Sequence, residues 1–238
     1  MFSNTKGVQD KKTTVSKHNG RIITKILLIS LKIGVFVDFC QFYNGFSEHS
    51  QKPGQIYLGR LPVIVRMAQM SDIKGLTEVL LGSFHTPQQW FSWLQPLFRL
   101  EIHEDLRIRF RSHSPYYCCL VAMVSSGTSN DSQESVIGTV EITLGSRLHF
   151  QSLYISNLAV SHSYRRRGVA KHLLQKCEQV ALEWGHCSLS LHVLEDNYPA
   201  KQLYLNNGYQ VQGTEFTWQS WLFKTPRRLF LKKILKSP

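Results

Sequence analysis

The sequence predicts an α/β domain over residues 61–238, preceded by a basic extension at residues 1–60. Three observations predict it. β-prone runs and amphipathic helical stretches follow one another along that span, and more than once a strand passes into a helix through a short turn. A hydrophobic content of 42% in 238 residues supplies one core of ordinary size, which rules out disorder throughout.

The elements follow in order. Pro53, Gly54 and Gly59 punctuate the chain just before the patterns become regular, which sets the domain boundary near residue 60. Val63 to Ala68 reads as a first strand, and Ser71 and Asp72 stand where a helix N-cap is expected, ahead of Leu76, Val79, Leu80 and Leu81. Gln88 to Leu106 carries Trp90, Phe91, Trp93, Leu94, Leu97 and Phe98 at helical spacing, with Pro96 expected to break or kink the run. Tyr116 to Val124 and Val136 to Leu144 are strands of a hairpin with a long polar loop, and Leu153 to Val160 is a further strand. From Val169 onward, Val169, Ala170, Leu173, Leu174, Cys177, Val180, Ala181 and Trp184 fall on one helical face. Ser188 to Val193 alternates, with Leu189, Leu191 and Val193 on one side and Ser190 and His192 on the other. A short helix follows, with Pro199 near its start and Gly208 past its end. Tyr209 to Thr214 and Leu229 to Ile234 supply the closing strands.

The formal net charge is +12, and the excess is concentrated at the two ends of the chain. No aromatic-interleaved basic stripe joins those ends, so nucleic acid is not an expected partner. Ile22 to Phe39 is apolar but interrupted by Lys25, Lys32 and Asp38, so stable membrane insertion is not expected, nor is export through a secretory signal. The extension is expected to be poorly ordered. Five cysteines, odd in number and without a C-x-x-C pair, fit neither a zinc ribbon nor a paired disulfide framework. The histidines lack ligand spacing, and no metal is expected. A reducing, cytoplasmic setting is the expectation. A Ser-, Thr- and Lys-containing leader with few acids leaves an organelle such as a plastid as the alternative.

The chemistry is concentrated between Leu158 and Gly208. Leu158-Ala159-Val160 ends a buried strand, and Arg165, Arg166, Arg167, Gly168, Val169 and Ala170 lead through a basic turn into a helix. A helix N-terminus offers unpaired N–H groups and the positive end of its dipole, which suits a pyrophosphate. Arg165-x-x-Gly168-x-Ala170 is followed by Asn197-x-x-Ala200-x-x-Leu203-Tyr204-x-x-x-Gly208-Tyr209. In these two motifs and their order the chain resembles the GNAT N-acetyltransferase superfamily, over residues 62–236.

The resemblance implies a central mixed, mostly antiparallel sheet flanked by helices and splayed at an acetyl-CoA site. It implies that the backbone of Leu158, Ala159 and Val160 holds pantetheine, that the amides from Arg166 to Ala170 hold the pyrophosphate, and that Asn197 assists from the side. Tyr204 matches the tyrosine near the thioester sulfur, where a phenol protonates the departing thiolate; packing with Ala200 and Leu203 is the structural alternative. Direct attack by an amine requires a base. His192 is one candidate, standing where the ribosomal-protein N-terminal acetyltransferases of this family carry glutamate, and Glu141 is the other. Tyr204, His192 and Glu141 are therefore the expected catalytic residues. The expected acceptor is a protein N-terminus or lysine. A small-molecule amine or a CoA-sensing module without efficient turnover are the alternatives.

Overall fold

The computed structural model describes residues 54–58, 61–83, 95–112, 114, 116–126, 133–144, 152–215 and 226–235. The strands are β1 (Gly54–Leu58), β2 (Leu61–Met67), β3 (Tyr117–Ser126), β4 (Gln133–Leu144), β5 (Leu153–Val160), β6 (Ser188–Leu194), β7 (Gln210–Glu215) and β8 (Arg228–Ile234). The helices are α1 (Ile73–Ser83), α2 (Gln95–Arg111), α3 (Val169–Glu183) and α4 (Tyr198–Asn206). The strands form one mixed sheet in the order β1-β2-β3-β4-β5-β6-β8-β7. Every neighbouring pair is antiparallel except β5 with β6.

Two apolar layers hold the helices to the sheet. β3 shows how one strand serves both, because successive side chains point to opposite faces. Cys118, Leu120, Ala122 and Val124 join the layer that contains Leu173, Leu174, Cys177, Val180 and Ala181 of α3. Cys119, Val121 and Met123 join the opposite layer, with Ile73, Leu76, Val79 and Leu80 of α1 and Leu106 of α2. Cys177 is fully buried, as the helical pattern predicts.

Several local expectations are revised. Pro96 does not break a helix: it is the second residue of α2, inside the first turn, where its missing N–H is no loss. Residues 84–94, which hold Trp90, Phe91 and Trp93, lie outside the described residues. Ser71 and Asp72 belong to a single 3-10 turn, Met70–Asp72, ahead of α1. The Asp72 carboxylate accepts from the Gln69 N–H at 2.7 Å and pairs with the Arg66 guanidinium at 2.7 and 3.0 Å, so it fastens β2 to α1. The β3–β4 ladder extends to Ser126 opposite Gln133, further into the polar stretch than the sequence suggests. β1 pairs with β2 from Gly54 to Leu58, so the ladder begins upstream of residue 60. Residues 1–53, with the apolar run from Ile22 to Phe39 and Cys40, lie outside the described residues.

α3 starts close above β4 because Gly138 leaves room for it. A Cβ at Gly138 would come within 3.1 Å of Val169 Cγ1, 3.2 Å of the Ala159 carbonyl oxygen and 3.2 Å of Leu173 Cδ1. The carbonyl is backbone and cannot turn aside. Gly138→Ala is therefore expected to destabilise the domain by about 1–3 kcal/mol, seen as a fall in Tm of several degrees on thermal denaturation. An unchanged Tm would contradict this close approach.

Candidate active site

β5 and β6 lie side by side in parallel, yet only Leu153 with Leu189 and Tyr154 with Ser190 are paired. Beyond those two pairs the strands separate. At the point of parting, the buried Ser190 hydroxyl donates to the Leu153 carbonyl at 3.1 Å. On its other side β5 stays bonded to β4, but with a slip: Thr139 faces Ala159 while Glu141 faces Ser156, so β5 carries one extra residue. Asn157, inside that bulge, has φ 51, the left-handed conformation that asparagine tolerates better than most residues.

The bulge exchanges the faces of β5. Leu153 and Ile155 are buried in the layer beneath α3, whereas Ala159 is buried in the layer beneath α1 and α2. An unbroken two-residue period would have kept the three together. Leu158 and Val160 instead pack toward the α3 layer.

Backbone direction follows the same alternation. The Ser161 N–H donates to the Ile137 carbonyl of β4 at 2.8 Å, and the Ala159 carbonyl lies against Gly138 of β4. By the period of the strand, the backbone groups of Leu158 and Val160 face the gap that β6 has left. Of the three residues expected to meet pantetheine, Leu158 and Val160 present their backbones to the gap, and Ala159 presents its backbone to β4. The Val160 carbonyl accepts from Arg165 Nε at 3.0 Å, which ties the basic turn to the end of β5.

That turn opens directly onto α3. Gly168, at φ 88, is its N-cap residue and supplies no side-chain cap. Arg166 is also left-handed, at φ 61. The first amides of α3 have no intrahelical partner, and left-handed residues before a helix turn successive N–H groups toward one point, where an anion is stabilised. Arg166, Arg167 and Gly168 are exposed, and the Arg167 guanidinium sits 5.7 Å from the centre of the Tyr164 ring. Val169 is buried and anchors the helix start, while Ala170 is half-buried. These groups suit a pyrophosphate, and the open edge of β5 suits an extended amide-bearing chain leading away from it.

Asn197 is exposed and is the N-cap of α4, its Oδ1 accepting from the Ala200 N–H at 3.3 Å. Tyr204 on α4 is 8% exposed and packs edge-on against Tyr209, with ring centres 5.8 Å apart. Burial, with a smaller contribution from nearby Cys177, raises its pKa above the ordinary phenol value. The hydroxyl thus keeps its proton through the neutral range.

The two base candidates differ sharply. Glu141 lies beneath α2, 1% exposed, with Oε2 held by Arg109 Nη1 at 2.5 Å. Arg109 also meets Asp105 at 2.7 Å; burial opposes its charge, but Glu141 and Asp105 outweigh burial and its pKa is raised. Glu141 Oε1 and the Tyr117 hydroxyl, both buried, have no hydrogen-bond partner among the described residues.

His192 lies on the sheet face opposite α3, as the alternation of β6 predicts. Its Nδ1 is 3.1 Å from the Tyr154 hydroxyl and its Nε2 is at ion-pair distance, 3.1 Å, from Glu215 Oε1. The Tyr154 and Phe230 rings lie against it in tilted contacts, with ring centres 5.7 and 5.0 Å away. The sequence reading missed Tyr154, Ser190, Glu215 and Arg109. Only Ser190 carried a local signal, sharing the polar face of β6 with His192.

A parallel pair that parts inside a mixed sheet, beside a helix start whose amides suit an anion, is a frame that fits a CoA-dependent acyltransferase. The acetyltransferase (GNAT) family profile matches residues 86–209. A curated relative in Arabidopsis thaliana, GCN5-related N-acetyltransferase 10, chloroplastic, is 34% identical over 172 residues, covering 68% of this chain and 67% of the relative. Thialysine N-epsilon-acetyltransferase of Bos taurus is 31% identical over 108 residues, covering 45% of this chain and 64% of that protein. Among solved structures, the PaiA N-acetyltransferase of Thermoplasma acidophilum in complex with coenzyme A superposes with a TM-score of 0.52 at 18% identity, covering 72% of this chain and 98% of that one. The chain belongs to the GNAT acetyltransferase family, and it is an acyltransferase of the N-acetyltransferase type.

Gly168→Glu would place a carboxylate at the start of α3, in a conformation that disfavours any side chain. Acetyl-CoA affinity, measured by titration calorimetry, is expected to fall on the order of 100-fold, about 2.7 kcal/mol. Unchanged affinity would remove the turn from the binding site.

Proposed function

We propose that the protein transfers acetyl from acetyl-CoA directly to a primary amine of a protein or peptide, at an N-terminal α-amine or a lysine side chain. Pantetheine lies along the Leu158 and Val160 edge, with the pyrophosphate on the amides from Arg166 to Ala170 and Asn197 at the side. The amine enters from the opposite face, where His192 serves as base. Glu141 is the weaker candidate because Arg109 holds its charge. Tyr204 gives its proton to the departing thiolate.

One observation carries the choice of acceptor. Glu215 is the acid among the described residues of β5 to β8, while Arg228 and Lys232 lie opposite Leu194 and Ser190 on either side of the Phe230 that faces His192. The described residues of β5 to β8 form no acidic ring, and such a ring is what would attract polyamines. A small lysine-like amine is the second reading, favoured by the name of the bovine relative, thialysine N-epsilon-acetyltransferase. No described helix is long and apolar enough to cross a membrane. For location, the chloroplastic designation of the Arabidopsis relative supports the plastid alternative over the cytoplasm. The acid-poor composition of residues 1–60 accords with a targeting leader.

The test is thiol release from acetyl-CoA with a panel of N-terminal peptides, lysine peptides and small amines. Peptide turnover supports the proposal, and turnover confined to small amines overturns the choice of acceptor. Tyr204→Phe is expected to lower kcat on the order of 100-fold while leaving acetyl-CoA affinity unchanged. Because burial raises the phenol pKa, the acid form persists and kcat should show no loss from this group up to pH 10. An unaffected kcat in the variant would return Tyr204 to a packing role.

A further inference from the structure

Three polar side chains from three strands meet across the parting of β5 and β6. Tyr154 is the last residue of β5 paired with β6, and its hydroxyl reaches over to His192 Nδ1, 3.1 Å away. On the far side of the imidazole, Glu215 of β7 stands 3.1 Å from Nε2. The His192 side chain is only 8% exposed, whereas Glu215 is 36% exposed and Tyr154 is half-buried. The imidazole is therefore flanked by the Tyr154 phenol at Nδ1 and by the Glu215 carboxylate at Nε2. The Nε2–Oε1 approach is an ion-pair contact rather than an aligned hydrogen bond; in the tautomer that carries its proton on Nε2, Nδ1 accepts from the Tyr154 hydroxyl.

We propose that Tyr154, His192 and Glu215 form a proton relay that receives the acceptor amine's proton at the Tyr154 oxygen, with Glu215 as the positioning residue of the imidazole. The inference rests on the proposed acetyl transfer and deepens it. An acceptor ammonium gives one proton to the Tyr154 oxygen as the phenol's own proton passes to His192 Nδ1. The imidazolium so formed is paired with Glu215, and the proton later leaves to solvent. The freed nitrogen lone pair attacks the thioester carbonyl, the C–N bond forms and the C–S bond breaks. The departing sulfur takes a proton from Tyr204, and the second proton shed by the nitrogen restores the Tyr204 phenol, so each cycle releases one net proton.

The charges around His192 set the direction of its titration. Glu215 favours the imidazolium, whereas Arg228 and Lys232, on β8 beside Phe230, disfavour it. Removing the Glu215 charge takes away the negative group beside the imidazolium, so the imidazole pKa is expected to fall.

The experiment is the pH dependence of kcat/KM, using whichever amine of the panel turns over, together with acetyl-CoA affinity and the imidazole titration of His192 by ¹⁵N NMR. Tyr154→Phe removes one hydroxyl and keeps the ring contact, so the fold is retained. It is expected to lower kcat by about 10- to 100-fold with acetyl-CoA affinity within about twofold. Glu215→Gln is expected to move the acid limb and the NMR titration together to lower pH, by about half to one unit. The relay is overturned if Tyr154→Phe keeps wild-type kcat, if its loss is one of acetyl-CoA affinity, or if Glu215→Gln leaves the His192 titration in place. Wild-type turnover limited to small amines would overturn the peptide acceptor alone, because the relay acts on any primary amine and its variants are read on that substrate.

Discussion

Everything at the site depends on β5 and β6 pairing for two residues and then parting. A strand inside a sheet satisfies its backbone groups through its neighbours, and an orphaned buried group costs about 1–3 kcal/mol. β5 meets that demand along its β4 edge but not along the edge that β6 abandons. The open edge has room for another extended chain, and the basic turn after Val160 lies at one end of it. The fold maintains this opening by building rigid layers on both sides: α3 is packed through six buried side chains, and α1 is tied to β2 through Asp72 and Arg66.

The bulge at Asn157 gives the opening two different sides. Before it, Tyr154 shares a face with His192; after it, Leu158 and Val160 turn toward the α3 layer. One additional residue in one strand thus separates the face that carries titratable groups from the face nearest the anion-binding turn. Arg109 acts on the same division from above, holding Glu141 in place beneath α2. Arg109 thus matches the Glu141 carboxylate with a guanidinium, which is why the proposed base is the imidazole of His192.

Much of this was legible in the sequence. The face of α3, the alternation of β6 and the turn from Arg165 to Ala170 follow from periodicity and from the chemistry of helix starts. The bulge was not legible, because Asn157 carries no glycine-like signal and the apolar run from Leu153 to Val160 reads as unbroken. Glu215 escaped notice for a different reason: it reaches His192 through β7 and β8, and such adjacency is set by sheet order rather than by spacing. Arg109 and Glu141, on a helix and a strand, are likewise joined by packing alone. Pro96 misled because the same ring that breaks a helix interior is accommodated in a first turn.

The most direct measurement is residue-resolved amide exchange at β5, with and without acetyl-CoA. The account predicts that the Leu158 and Val160 amides become protected when acetyl-CoA binds, while the Ala159 amide, turned toward β4, is protected in both states. Binding of acetyl-CoA with no change at Leu158 or Val160 would contradict the central claim that the parted edge of β5 receives the cosubstrate.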